Sequence, residues 1–265
     1  MASDFTINEF KNLNNLIIQH GRQSYLRISE LINYTLWKGF LLTMPQFFFS
    51  FFCSFSANSI FDDWQISLVN KVFTFFPVIF KSILDRDFIA SDGSFVQKCL
   101  PYTYYIGREN KVFNLKNFLW STQFGIYQAL ALFFLVENMM KGIMTDDGQV
   151  ADFWAISLTM FCSMFTIMNG RLLMSHKEHS VMSLLSLFVG SYFTFCVYLA
   201  VSSYFDFSRS WGTFQILALS PQFYLVCFFI HTVNFLIELA VMYYNFQYSE
   251  DLNFLLLKYI KVNNC

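Results

Sequence analysis

The stretch His20–Phe40, HGRQSYLRISELINYTLWKGF, runs without a break into Leu41–Phe55, LLTMPQFFFSFFCSF. A polar, cationic beginning becomes an apolar segment long enough to cross a bilayer, with Lys38 carried well inside it. At the centre of a membrane helix a charged side chain costs about 2.5–3.5 kcal/mol on insertion scales. Chains rarely keep such a group without a use, so the remaining sequence is read as the scaffold around Lys38. Two placements are open for it. Either the ammonium reaches along its stem to an interface, or it lines a polar path between helices.

Composition points the same way. Hydrophobic residues make up 55% of the 265 and charged residues only 13%, with 36 Phe. Soluble domains carry roughly 25% charge, so water is not the main solvent. A formal net charge of −1 supplies no bulk field for nucleic acid. The six cysteines (53, 99, 162, 196, 227 and 265) contain no C-x-x-C pair and lie mostly in apolar runs. There a thiol behaves as a small hydrophobe, and no disulfide or zinc framework is expected. The first thirty residues lack the charged-then-apolar order of a signal peptide.

Those thirty residues read as a cytoplasmic lead-in. Ile7, Phe10, Leu13 and Ile17 recur at helical spacing and predict a short amphipathic helix packed on something else. Six segments then have the roughly 20 residues a crossing needs: Leu31–Phe55, Trp64–Leu84, Asn117–Glu137, Ala151–Leu173, Ser180–Tyr204 and Phe214–Glu238. One connection, Asp85–Lys116, is long. The expected fold is all-α, a polytopic membrane bundle of six transmembrane helices. Its expected organisation is a lead-in at 1–30, a transmembrane domain at 31–245 and a cytoplasmic tail at 246–265.

Basic residues choose the orientation. With both termini cytoplasmic, only Lys141 and Arg209 lie outside, while Lys38 and Lys71 lie within spans. That leaves thirteen of the 17 basic residues on the inner side, a strong positive-inside bias. Trp64, Trp120, Trp154 and Trp211 sit near span ends, as an interfacial aromatic belt requires.

Polar groups inside lipid must find a partner or line a wet path. Asn70, Thr74 and Pro77 recur at i, i+4 and i+7 and so share one face of a regular helix. Pro77 leaves a backbone carbonyl unpaired on that side. The alternative is that Asn and Thr merely bridge neighbouring helices. Lys71 lies about 100° round from Asn70, facing either lipid, with its ammonium reaching outward, or the path. The lipid-path candidates are Lys38, Asn70, Lys71, Thr74 and Pro77.

Absences narrow the chemistry. Spans one and two contain no Asp or Glu, and Asp62 and Asp63 sit in the connecting loop. Glu137, Asp152 and Glu238 each fall at a span end, so a path for hard cations or a proton relay is disfavoured. His176-Lys177-Glu178-His179 reads as a solvated turn rather than a metal site. Asn33-Tyr34-Thr35 has glycosylation spacing but lies at the cytoplasmic end of a span. His231 and Asn234 share a face of span six, suited to helix contact. No P-loop and no nucleophile with its base is present, so no catalytic, cofactor or metal residue is assigned.

The order Ser3-Asp4-x-x-Ile7-x-x-Phe10 then His20-Gly21-Arg22-x-Ser24-Tyr25-x-Arg27 resembles the type IV P-type ATPases, the phospholipid flippases. It is similar to their junction between phosphorylation domain and fifth membrane helix. The resemblance continues in Asn70-x-x-Phe73-Thr74-x-x-Pro77, in Asp85-Arg86-Asp87, in Pro101-x-x-Tyr104-x-x-Gly107, and in Phe113-Asn114 with Phe118. It implies the C-terminal membrane portion of a translocase, family helices five to ten, moving phospholipid from the outer to the cytoplasmic leaflet. It places a lysine at the Lys38 position beside the lipid head-group path. It implies that the catalytic part of the same polypeptide precedes this segment, that ATP and Mg2+ act there, and that a two-span accessory β-subunit binds the outer surface. It further implies a multi-pass protein of the plasma membrane or an endomembrane. The alternative is a non-catalytic membrane module that binds lipid or a partner subunit. Three positions depart from the family pattern: Gly39 where Asn is usual, Phe55-Ser56-Ala57-Asn58 for F-S-G-Q, and Lys71 at a commonly apolar site.

Overall fold

The computed structural model describes residues 5–85, 107–110, 112–142, 148, 150–176 and 180–248. Ser3-Asp4, Arg86-Asp87, Pro101, Tyr104, Lys177-Glu178-His179 and most of the proposed tail lie outside the described residues. Within them the chain is helical, with no strand. Seven helices carry the architecture: α1 Arg22–Phe52, α2 Asp63–Leu84, α3 Leu115–Met139, α4 Phe153–Ser175, α5 Val181–Tyr204, α6 Thr213–Leu219 and α7 Pro221–Tyr248.

Most helix starts follow from a single polar residue that satisfies an orphan backbone N–H. Asn114 accepts from the Asn117 N–H at 2.8 Å, Asp152 from Ala155 at 2.8 Å, and Ser180 from Ser183 at 3.1 Å. At α2 the Gln65 side chain reaches back to accept from the Asp62 N–H at 3.2 Å, one half of a capping box. The exit from α1 runs through Ser54, Phe55 and Ala57, all with φ between 52° and 60°. Ala57 thus holds a left-handed conformation at the position where the family resemblance puts glycine, the residue that adopts it without strain.

Two expectations are corrected. The lead-in is not a separate amphipathic helix over Ile7–Ile17. Helix begins only at Asn12, passes through a π-helical turn at Leu16–Gly21 and continues directly into α1, leaving Ile7, Phe10 and Ile17 exposed. The last span begins not at Phe214 but at Pro221. The residue before a proline is pushed out of the helical region, and Ser220 takes φ −89°, ψ 121°. The segment therefore splits into the short α6 and the long α7, with Pro221 at the first helical position, where its missing N–H costs nothing.

Among the described residues, five helices are long and apolar enough to cross a membrane: Asp63–Leu84, Leu115–Met139, Phe153–Ser175, Val181–Tyr204 and Pro221–Tyr244. The helix expected as the first span, α1, has 31 residues but falls outside that group. Lys38, Pro45 and Gln46 dilute its apolar run.

The core centres on α4, which is buried on nearly all sides. Lipid tails are as apolar as leucine, so close packing rather than burial from water holds such helices together. Phe161 and Phe165 of α4 meet Phe73 of α2 and Phe195 of α5, the closest pair being Phe165 and Phe195 with ring centroids 4.1 Å apart. Small residues admit the nearest approaches. A Cβ on Gly125 would lie 3.1 Å from the Trp37 carbonyl oxygen, bringing α3 against α1, and one on Gly190 would lie 2.8 Å from Phe76 Cβ, bringing α5 against α2.

Candidate lipid-path site

The buried face of α1 carries Tyr34, Trp37, Lys38, Leu41 and Pro45, the spacing of one helical stripe. Lys38 is only 8% exposed and donates from Nζ to Thr74 Oγ1 at 2.9 Å. Its ammonium also lies 5.8 Å from the centre of the Tyr34 ring, at the outer limit of a cation–π contact. Among the described residues no carboxylate pairs with it.

Thr74 sits where α2 departs from regular geometry. Val69–Phe73 forms a π-helical turn, so the Thr74 N–H reaches back five residues to the Val69 carbonyl at 3.1 Å. The Thr74 hydroxyl donates to the same carbonyl at 2.7 Å while accepting from Lys38. Isolated π-turns of this kind are rare and frequent at functional sites.

That turn decides which candidates meet. Thr74 and Pro77 are buried and face the bundle, whereas Asn70 and Lys71 are exposed. The expectation of one shared face for Asn70, Thr74 and Pro77 assumed 3.6 residues per turn. One extra residue in the turn places Thr74 under Val69, which is fully buried, rather than under Asn70. Lys38 and Thr74 are brought together, with Pro77 below them on the same helix. Asn70 and Lys71 are not.

A second polar group ties the helices at the Asp85 end. Arg27 donates from Nε at 2.8 Å and Nη2 at 2.7 Å to the Asp85 carbonyl, capping the last turn of α2 from α1. Lys81 donates to Ser175 Oγ at 2.6 Å and lies 3.5 Å from Glu30, linking α2 to α4 and α1.

Sequence reading missed a third group, in the middle of the bundle. Trp37 Nε1 donates to Gln128 Oε1 at 2.7 Å, the Arg171 guanidinium lies 4.2 Å from the Trp37 ring centre, and Arg171 Nε is 3.7 Å from Glu238. The sequence reading places Glu238 at a span end and counts Arg171 only among the thirteen inner-side basic residues. The available signal was their opposite charge in two different spans, together with Gln128 midway along a third. His231 serves helix contact: its ring edge is 3.0 Å from where a Cβ on Gly170 would stand. Among the described residues no cluster of three metal-ligating side chains occurs.

Residues 1–251 match the family described as phospholipid-translocating P-type ATPase, C-terminal. The chain is similar to the human probable phospholipid-transporting ATPase IM, 36% identical over 170 residues, which covers 64% of this chain and 14% of that protein. It is 34% identical to the human phospholipid-transporting ATPase ID, again over 64% of this chain and 14% of the relative. A phospholipid-transporting ATPase of Schizosaccharomyces pombe is 33% identical over 198 residues, 71% of this chain and 15% of that protein. The chain thus spans about one seventh of the length of the curated relatives it matches. Its apolar helices make it an integral, multi-pass membrane protein, and it belongs to the family of phospholipid-translocating P-type ATPases, matching their C-terminal membrane region.

Proposed function

We propose that this chain is the lipid-handling membrane portion of an ATP-driven translocase that moves phospholipid from the outer to the cytoplasmic leaflet. In this reading Lys38 and Thr74 line the head-group path. The observation that carries it is the Lys38 ammonium, buried in a membrane-length helix with a neutral hydroxyl as its hydrogen-bond partner. An ammonium has three donors, and a charge in a medium of low dielectric is stabilised by an anion. A phospholipid phosphate supplies both needs in passing. The π-turn helps, since the Thr74 hydroxyl already shared with Val69 can yield Lys38 without being left unpaired.

The reading carries the finer topology with it. Residues 1–30 form the cytoplasmic lead-in, 31–245 six spans with α1 as the first, and 246–265 the tail. Both termini are cytoplasmic and the Asp85 end faces the cytoplasm. ATP and Mg2+ act on another part of the polypeptide, and a two-span accessory subunit binds the outer surface. Asn70 and Lys71, exposed on α2, face lipid or a neighbouring chain rather than Lys38.

Reporter tags after Asn264 and in the 138–149 connection are expected to label from opposite sides of the membrane; labelling from one side contradicts six spans. The function itself is tested in proteoliposomes containing a full-length polypeptide that carries this segment. Short-chain labelled phospholipid is expected to move between leaflets only with ATP and Mg2+, and retention in its starting leaflet would overturn the assignment.

A further inference from the structure

We propose that Arg171 is a positioning residue for the Lys38–Thr74 site: held by Glu238, its guanidinium clamps Trp37 and so fixes the rotation of α1 that aims Lys38 at α2. The consequence for transport rests on the lipid-path reading above; the clamp itself does not.

Four helices contribute to the clamp, with Trp37 from α1, Gln128 from α3, Arg171 from α4 and Glu238 from α7. Trp37 is fully buried and gripped at two points. Its Nε1–H is tied to Gln128 at 2.7 Å, and its ring face lies under Arg171 at 4.2 Å. Two anchors at different parts of one ring fix both its position and its tilt. The guanidinium is itself restrained. It pairs with Glu238 at 3.7 Å, too long for a hydrogen bond, and Phe124 lies on it at 5.2 Å. Arg171 Nη1 and Glu238 Oε1 are buried without a hydrogen-bond partner. The carboxylate therefore balances the charge of Arg171 without drawing the guanidinium off the indole.

The clamp reaches Lys38 through the backbone and through Tyr34. Lys38 follows Trp37 directly, so a rotation of α1 that moved the indole would carry the ammonium off Thr74. Tyr34, one turn earlier, tilts against Trp37 at 5.6 Å, donates to the Met168 carbonyl of α4 at 3.3 Å and faces the Lys38 ammonium. Both aromatic neighbours of Lys38 are thus referenced to α4, the most deeply buried helix. Arginine suits this role and lysine does not, because a planar guanidinium can stack on the indole while meeting a carboxylate at its edge.

The test uses the full-length membrane-embedded polypeptide with Arg171→Gln, Arg171→Lys and each of these combined with Lys38→Ala. Lys38 acylation by a membrane-permeant amine reagent is read by mass spectrometry, with exposed Lys71 as the internal standard. Both single variants are expected to raise Lys38 labelling at least tenfold relative to Lys71. They should also raise the phospholipid concentration for half-maximal ATP hydrolysis by more than they lower the maximal rate, and this effect should vanish in the Lys38→Ala background. Arg171→Lys, which keeps the charge, carries the test if Arg171→Gln does not fold. Unchanged Lys38 labelling overturns the proposal, as does an equal rise in half-saturation with and without Lys38. Increased labelling in a protein whose hydrolysis ignores phospholipid supports the clamp and overturns the lipid path.

Discussion

Lys38→Ala is expected to lower phospholipid-stimulated ATP hydrolysis at least tenfold in a full-length polypeptide carrying this segment, with expression in the membrane retained. A hydrogen bond to a charged group contributes about 1.5–3 kcal/mol, and each 1.4 kcal/mol is a factor of ten. If the head-group phosphate meets Lys38 on its way across, that contribution disappears with the side chain. Stability should respond differently. The ammonium has no ionic partner among the described residues, and its one hydrogen bond is to Thr74, so removing it deletes a costly buried charge without stranding an opposite one. Thermal unfolding in detergent is therefore expected to be unchanged or shifted upward. Lys38→Arg, which keeps the charge but is longer and planar, should retain part of the stimulation. Full stimulation in Lys38→Ala would mean that the Lys38–Thr74 contact only joins α1 to α2 and takes no part in lipid handling.

Gly190→Leu is expected to give the largest loss of stability. Gly190 lies in the π-helical turn Phe188–Phe193 of α5, and a Cβ there would stand 2.8 Å from Phe76 Cβ on α2. The nearest atom belongs to the root of a side chain and cannot swing aside, so the two helices must separate. Overpacking a tight contact typically costs about 1–3 kcal/mol and occasionally more. Gly190→Ala should fall within that range, and leucine beyond it. The measurement is the unfolding midpoint in detergent, and an unchanged midpoint for Gly190→Leu would contradict this packing of α5 on α2. The effect should extend to the candidate site, since α2 carries Thr74.

Much of the helical framework was legible in the sequence because its determinants are local. Asn114, Asp152 and Ser180 cap the helices whose starts they mark, and the apolar runs behind them set the lengths. Lys38 stood out by the cost of its charge alone. Other features depended on backbone irregularity or distant partners. Regular spacing grouped Asn70 with Thr74, but the π-turn between them adds a residue and turns Asn70 outward. Pro221 was a readable start signal, overridden by the unbroken hydrophobicity that precedes it. The meeting of Arg171 with Glu238 and Trp37 joins residues far apart in the chain. Each alone looked like a helix-end charge or an interior aromatic, and only the packing of α1, α4 and α7 brings them together.

The most direct measurement is photo-crosslinking with a phospholipid bearing a photoreactive group on its head-group, trapped during turnover in the full-length protein. If Lys38 and Thr74 line the path, ATP-dependent adducts should map to the peptides containing Tyr34–Leu41 and Val69–Pro77, and Lys38→Ala should remove them. Adducts confined to exposed aromatics, such as Phe47, Phe51 and Phe52 of α1, and insensitive to ATP and to Lys38, would contradict the central claim.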